Sequence, residues 1–412
     1  MGNQTIGGYI MEMNNILVGQ SGGPTAAINA TLAGVIAEGI ANPNVGTVYG
    51  TVNGIKGVIG DNIINLSEVF SDSSKLEILK QTPSAYLGSC RYKLSAETDD
   101  ISEIIRVLKK HNIGIFLYIG GNDSMDTVLK LKDECFKNGI KVMGIPKTID
   151  NDLMGTDHCP GYGSAAKYIA STVAEIARDA QCYSIESVTL IEIMGRNAGW
   201  LTAASSLARL GGGLSPDLIY LPEVPFDTSD FLSDVRKMIL DRQNIVIALS
   251  EGIKDKDGKY VSDESSVFKE DLFGHVQLGG AGKVLENLIK KTYGIKVRSI
   301  ELNTPQRCAS HIASYTDICE SAAIGSAAVK TALGGEHGKM MAYVRKEGSP
   351  YKIDFDCIDI ENSANFEKEV PPEFISDSGS DVTSLFTDYA YPLIQGELPI
   401  IYKDGIPLHI SR

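Results

Sequence analysis

Lys147, Thr148, Asp150 and Asp152 stand together in Pro146-Lys147-Thr148-Ile149-Asp150-Asn151-Asp152, directly after an apolar run. A solvated turn accounts for Asn and Asp, but not for a cation, a hydroxyl and two carboxylates crowded at a strand end. The set suits phosphoryl transfer: Asp150 as base, Lys147 as nearby cation, Thr148 as orienting hydroxyl. Three more loops carry chemistry. Gly19-Gln20-Ser21-Gly22-Gly23-Pro24 sits between a strand and a helix, where glycine N–H groups and a helix N-terminus cradle phosphate. The same residues make a plain tight turn, or the G-x-S-x-G elbow of a serine hydrolase built on Ser21. Gly120-Gly121-Asn122-Asp123-Ser124 reads either as an Asn/Asp helix cap or as a second anion loop with an oxygen ligand for Mg²⁺. Met194-Gly195-Arg196-Asn197 offers an arginine for phosphate, or an ion pair with Glu192 or Glu251.

The elements that position these loops are strands over Asn15–Gly19, Ile113–Ile119, Lys141–Ile145, Val188–Met194, Asp217–Leu221 and Asn244–Leu249. Helices are expected over Ala26–Ile40, Ser124–Lys137, Ser164–Ala180, Ala198–Leu210 and Phe231–Asp241. Ala281–Lys291, Lys296–Leu302 and Thr316–Leu333 continue the alternation. The strands are apolar throughout rather than alternating, as buried parallel strands are. Strand–helix repetition predicts an α/β fold with open, mostly parallel sheets. Ligands of such sheets sit beyond the carboxyl ends of the strands, where all four loops fall.

The chain has 412 residues, 38 Lys plus Arg against 52 Asp plus Glu, and a formal charge of −14. That balance argues against a nucleic-acid binder, while a local basic pocket can still take a small anion. Hydrophobic residues at 43% and charged residues at 22% exclude whole-chain disorder. No apolar run reaches membrane-spanning length, and no secretory leader is recognisable. Seven dispersed Cys without C-x-x-C spacing read as reduced thiols of a cytoplasmic protein. Gly161-Tyr162-Gly163-Ser164-Ala165-Ala166 fits a dinucleotide fingerprint but follows no strand. The His residues show no ligand spacing, and no internal repeat is visible.

Taken in order, the glycine loop, G-G-N-D-S, P-K-T-I-D-N-D, M-G-R, a glutamate (Glu251) and a basic loop resemble the phosphofructokinase family over roughly residues 15–345. The resemblance is to its pyrophosphate-dependent branch, because ATP-using members carry Gly where Asp123 and Lys147 stand. A carboxylate at 123 takes the place of a nucleotide α-phosphate and repels it, at a cost of several kcal/mol. An ammonium at 147 sits against the two phosphates that remain, where one well-placed donor is worth roughly 3–4 kcal/mol.

The resemblance implies a Mg²⁺-dependent, reversible transfer from pyrophosphate to the 1-hydroxyl of fructose 6-phosphate. Gly22, Gly23, Arg91, Lys147 and Ser124 bind the donor. Asp150 is the base, with Lys147, Asp123 and Thr148 in catalysis. Met194, Gly195, Arg196, Glu251, Arg298, Thr304, Gln306 and Arg307 join Thr148 and Asp150 around the sugar phosphate. His275-Val276-Gln277-Leu278-Gly279-Gly280 also echoes the family's basic loop, but Leu278 lacks the charge, so the assignment goes to Arg298 and Thr304–Arg307. Asn122 falls where the family binds Mg²⁺ through Asp, with Asp152 contributing through water. Two lobes are expected, 15–160 with 306–345 for the donor and 161–305 for the sugar phosphate. A loose tail (1–14) and a decorating extension (346–412) flank them. A homo-oligomer is implied, although Ser187 stands where ATP-type members supply a cross-subunit arginine. Three alternatives stay open: an ATP-dependent phosphofructokinase, a serine hydrolase using Ser21, and a non-catalytic phosphate sensor.

Overall fold

The computed structural model describes residues 5–6, 9–10, 14–95, 99–262 and 280–412. Residues 275–279 of the histidine-containing loop lie outside them. Of the tail expected over 1–14, the described part is a short antiparallel pair, Thr5–Ile6 with Tyr9–Ile10, and Asn14, which already belongs to a strand of the main sheet.

Two sheets organise the rest. The first holds β1 (Asn14–Gln20), β2 (Val45–Thr51), β3 (Ile63–Asn65), β4 (Ile113–Gly120), β5 (Lys141–Pro146), β10 (Lys339–Arg345) and β11 (Ile353–Asp359). Their order is β11-β10-β5-β4-β1-β2-β3, with β6 (Ser187–Ile193), β7 (Leu218–Tyr220), β8 (Asn244–Ser250) and β9 (Lys296–Glu301) forming a second sheet ordered β9-β6-β8-β7. Every pair in the second sheet is parallel; in the first, only the edge strands β3 and β11 run antiparallel. The architecture is therefore the expected α/β with mostly parallel sheets. β4 shows why: Ile115 to Ile119 are wholly buried on both faces, which only a helix-covered parallel strand allows.

Helices α1 (Ile28–Ala41), α2 (Asn122–Lys137), α3 (Tyr162–Ala180) and α4 (Tyr315–Leu333) follow the strands that carry the site or cover the sheets. The helix expected over Ala198–Leu210 is shorter. It is α-helical only over Trp200–Ala204, then tightens to a 3₁₀ turn over Ser205–Gly211. The Ser205 and Ser206 hydroxyls donate to the Thr202 and Ala203 carbonyls at 2.6 and 2.7 Å, a three-residue reach that favours the tighter turn.

The C-terminal segment is not decoration. β11 extends the first sheet, and Val370, Phe386, Ala390 and Leu393 are buried in the core of the second with Trp200. Trp200 Nε1 donates to the Lys368 carbonyl at 2.8 Å. The segment thus straps both sheets together.

A buried histidine locks the loop that leaves the site. His158 is 1% exposed, stacks on Tyr343, and contacts Asp157 at 2.8 Å through Nδ1 and Glu320 of α4 at 2.9 Å through Nε2. Burial alone lowers its pKa, but the two carboxylates outweigh that and raise it above the ordinary value. A raised histidine pKa stabilises the fold fully below the unfolded value of about 6.5, and the contribution fades as pH rises through the folded value. Thermal melts of wild type and His158→Gln should therefore differ most below about pH 6.5 and converge at higher pH. A gap that widens with pH contradicts this pairing.

Candidate active site

The carboxyl ends of both sheets face one cavity of about 720 Å³. β1 delivers Gly22 and Gly23, β4 delivers Asn122, Asp123 and Ser124, and β5 delivers Lys147, Thr148, Asp150 and Asp152. From the second sheet, β6 brings Met194 and Arg196, and β8 brings Glu251. Arg91 and Arg307, also predicted, stand on its walls, whereas Gly195 does not line it.

Lys147 is the most constrained of them. It is 2% exposed, and its Nζ donates to the Gly23 carbonyl at 2.6 Å. Burial lowers its pKa to about 8, against the pull of Asp150 and Asp152 and with help from the Arg307 charge. Gly22 makes this approach possible: its φ is +76°, and a Cβ there would lie 3.2 Å from Lys147 Nζ. Arg307 Nε is buried without a hydrogen-bond partner among the described residues, as is the Ser124 hydroxyl. Unpaired buried donors on a cationic wall are what a phosphate oxygen satisfies.

Asp150 meets the cavity at one edge and is otherwise enclosed. Burial, then the neighbouring Asp152 carboxylate, push its pKa up to about 7, with Lys147 opposing. That places a base near neutrality. The Thr148 hydroxyl accepts the Asp150 N–H at 3.0 Å and bonds the Asp152 carboxylate, so it holds the two acids apart on one turn. Asn151 between them adopts φ +55°, with its amide donating to Tyr389 Oη and accepting from Cys159 N at 2.9 Å each. Across the cavity, Glu251 is raised to about 7 by burial and by Asp150. Gly195 has φ +136°, and a Cβ there would meet the Ala198 carbonyl at 2.6 Å, so the turn that presents Arg196 needs glycine. Arg196 bonds Tyr260 Oη at 3.3 Å rather than forming the alternative ion pair with Glu192, which accepts Gly280 and Gly282 N–H groups.

Asp123, in the first turn of α2, also faces the cavity, with Lys93 Nζ at 3.6 Å. Asp123 and Lys147 therefore line the same cavity.

Several expected residues are placed differently. Asn122 lines the cavity, but its amide spans two C-terminal backbone groups: Nδ2 donates to the Phe366 carbonyl at 2.7 Å and Oδ1 accepts Asn365 N–H at 2.9 Å. It is a strap anchor, not a disposed metal ligand. Arg298 lies on edge strand β9, away from the cavity lining, with Nη1 3.5 Å from Asp179. Thr304 precedes a short helix and does not line the cavity either. Gln306 is buried and does not line the cavity; its Oε1 accepts Met194 N–H at 3.2 Å, so it orients the arginine loop. The Ser21 hydroxyl bonds the Tyr118 phenol and is absent from the cavity lining, which removes the hydrolase alternative's nucleophile. Among residues not foreseen, Lys93, Asn365, Phe366 and Glu367 line the cavity.

Among the described residues no three His, Cys, Asp or Glu side chains converge on one point. Mg²⁺ commonly takes one or two carboxylates and fills its remaining positions with water and substrate phosphate oxygens. The hard oxygens of Asp123, Asp150 and Asp152 on the lining of the same cavity fit an ion carried in with such a substrate.

Residues 15–329 match the phosphofructokinase family model. The chain is 41% identical over 409 residues to a pyrophosphate–fructose 6-phosphate 1-phosphotransferase of Xanthomonas campestris pv. campestris, covering 97% of this chain and 96% of that one. It is 39% identical to the enzyme of the same name from Methylococcus capsulatus, with the same coverage. A crystal structure of a pyrophosphate-dependent phosphofructokinase from Marinobacter aquaeolei superposes with a TM-score of 0.85 at 36% identity, covering 96% of this chain and 95% of that one. By its sequence over most of its length, and by its fold, the chain belongs to the phosphofructokinase family.

Proposed function

We propose that this protein transfers a phosphoryl group from pyrophosphate to the 1-hydroxyl of fructose 6-phosphate, reversibly and with Mg²⁺. The observation that carries the donor assignment is that Asp123 and Lys147 both line this cavity. Lys147 faces the space that two phosphates fill, and Asp123 guards the continuation that a nucleotide needs. Lys93 offsets part of the Asp123 charge, so the carboxylate acts by bulk as well as by repulsion.

In the forward direction the sugar 1-hydroxyl oxygen attacks the nearer phosphorus and the bridging P–O bond breaks. Asp150 takes the hydroxyl proton, and Thr148 holds the carboxylate pair in place. Lys147 and Arg307 neutralise charge on the departing phosphate, while Arg196 and Glu251 hold the sugar phosphate. Asp123, Asp150 and Asp152 line the cavity as the carboxylates that would hold Mg²⁺, which would supply neutralisation of phosphate charge. The reaction belongs in the cytoplasm, a reading supported by seven unpaired cysteines. A homo-oligomer is part of the same reading, supported by Tyr183, Ile185, Leu210 and Leu214, which are exposed on the second lobe.

A coupled assay should give turnover with pyrophosphate and none with ATP. Asp150→Asn should lower kcat by about 10²–10⁴-fold. Asp123→Gly should admit measurable ATP turnover. Wild-type turnover on ATP alone contradicts the donor assignment.

The forward kcat/KM should follow a bell in pH. It rises through about 7 as Asp150 loses its proton and falls beyond about 8 as Lys147 loses its own. A flat profile from pH 6 to 9 contradicts those roles.

A further inference from the structure

The C-terminal strap crosses the open rim of the cavity between Ala364 and Val370 and touches both walls. Asn122 pins Asn365 and Phe366 to the start of α2, and Asn365 Nδ2 donates to Asp126 Oδ1 at 3.2 Å. One residue on, Glu367 forms an antiparallel bridge with Leu153, and Lys368 N–H donates to the Asp152 carbonyl at 2.7 Å. The strap backbone is thereby fastened to the loop that carries Asp150. The Glu367 side chain turns the other way: its Oε1 accepts Asn197 Nδ2 at 2.9 Å. Asn197 directly follows Arg196 and belongs to the opposite wall.

We propose that Glu367 is a positioning residue for the transfer, tying the Met194–Asn197 loop of the second lobe to the Asp150–Leu153 loop of the first. The inference rests on the phosphotransferase reading above and deepens it. In-line transfer needs the base and the arginine that holds the sugar phosphate to be in register across the cleft, and displacements near 1 Å cost about 10²-fold. The Glu367–Asn197 bond is a direct side-chain contact from the strap to the Met194–Asn197 loop. It joins backbone already fixed to Asp152 on one side to the residue after Arg196 on the other. Glu367 also lines the cavity, and its negative charge adds to those that raise Asp150 and Asp152. Water at the rim screens that charge, so its influence on the base is small and its tie across the cleft is the larger effect.

Steady-state kinetics on wild type, Glu367→Ala, Asn197→Ala, the double variant and Glu367→Gln test this. Either alanine variant should raise KM for fructose 6-phosphate by roughly 3–10-fold while KM for pyrophosphate stays put, and the double variant should be no worse than either single. Glu367→Gln keeps an acceptor for Asn197, so it should retain the wild-type KM and move only the acid limb of kcat/KM, to lower pH. Active wild type with unchanged KM in the alanine variants, or with additive losses in the double variant, overturns the proposal and leaves the phosphotransferase reading intact. Wild type without pyrophosphate turnover overturns both. Equal thermal melts across the set exclude a folding defect as the cause; a KM rise accompanied by a lowered melt in every variant, including Glu367→Gln, counts against the tie.

Discussion

The site depends on an ammonium held where water is scarce. Lys147 is enclosed by the strand end that delivers it, tied to the Gly23 carbonyl, and facing two carboxylates. Its lowered affinity for a proton means that the empty site is electrostatically incomplete, since burial costs more than Asp150 and Asp152 return. A diphosphate would complete it, as the proposed function requires. The same enclosure raises Asp150, so one desolvated corner sets both the cation and the base near neutral pH. The glycine loop and the apolar strands β1, β4 and β5 exist in register to make that corner.

Two sheets meeting at their carboxyl ends divide the labour. The first brings Lys147, Asp150 and the two glycine loops to the cavity, and the second brings Arg196 and Glu251. Among the described residues no strand pairing joins one sheet to the other. That task falls to helix packing and to the C-terminal segment, which is an edge strand of the first sheet and part of the core of the second.

The central loops were legible in the sequence because buried parallel strands are apolar without interruption, so the first polar residues after each run are the ones at the cavity. Lys147, Asp150 and Arg196 were found that way. Other features leave no such trace. Asn122 has the residue type of a possible ligand, yet its partners Asn365 and Phe366 lie more than two hundred positions later, and short-range spacing carries no sign of them. Arg298 and Thr304 matched by spacing, but spacing along an edge strand does not state which side of the sheet faces the cleft. The segment after Lys346 looked decorative because its polar residues lack helical period. The alternation in Ile353-Asp354-Phe355-Asp356-Cys357 was the available signal for an antiparallel edge strand. Gln306 shows a further limit, since an amide off the cavity lining and one on it have the same sequence.

The claim that Lys147 awaits the diphosphate is tested most directly by calorimetry. Pyrophosphate binding is titrated near pH 8 in buffers of different ionisation enthalpy, for wild type and Lys147→Met. Bound phosphate charge should restore the ammonium's ordinary affinity for its proton, so wild type should take up more protons on binding than the variant does. Equal proton uptake by the two proteins, with both binding pyrophosphate, contradicts the account.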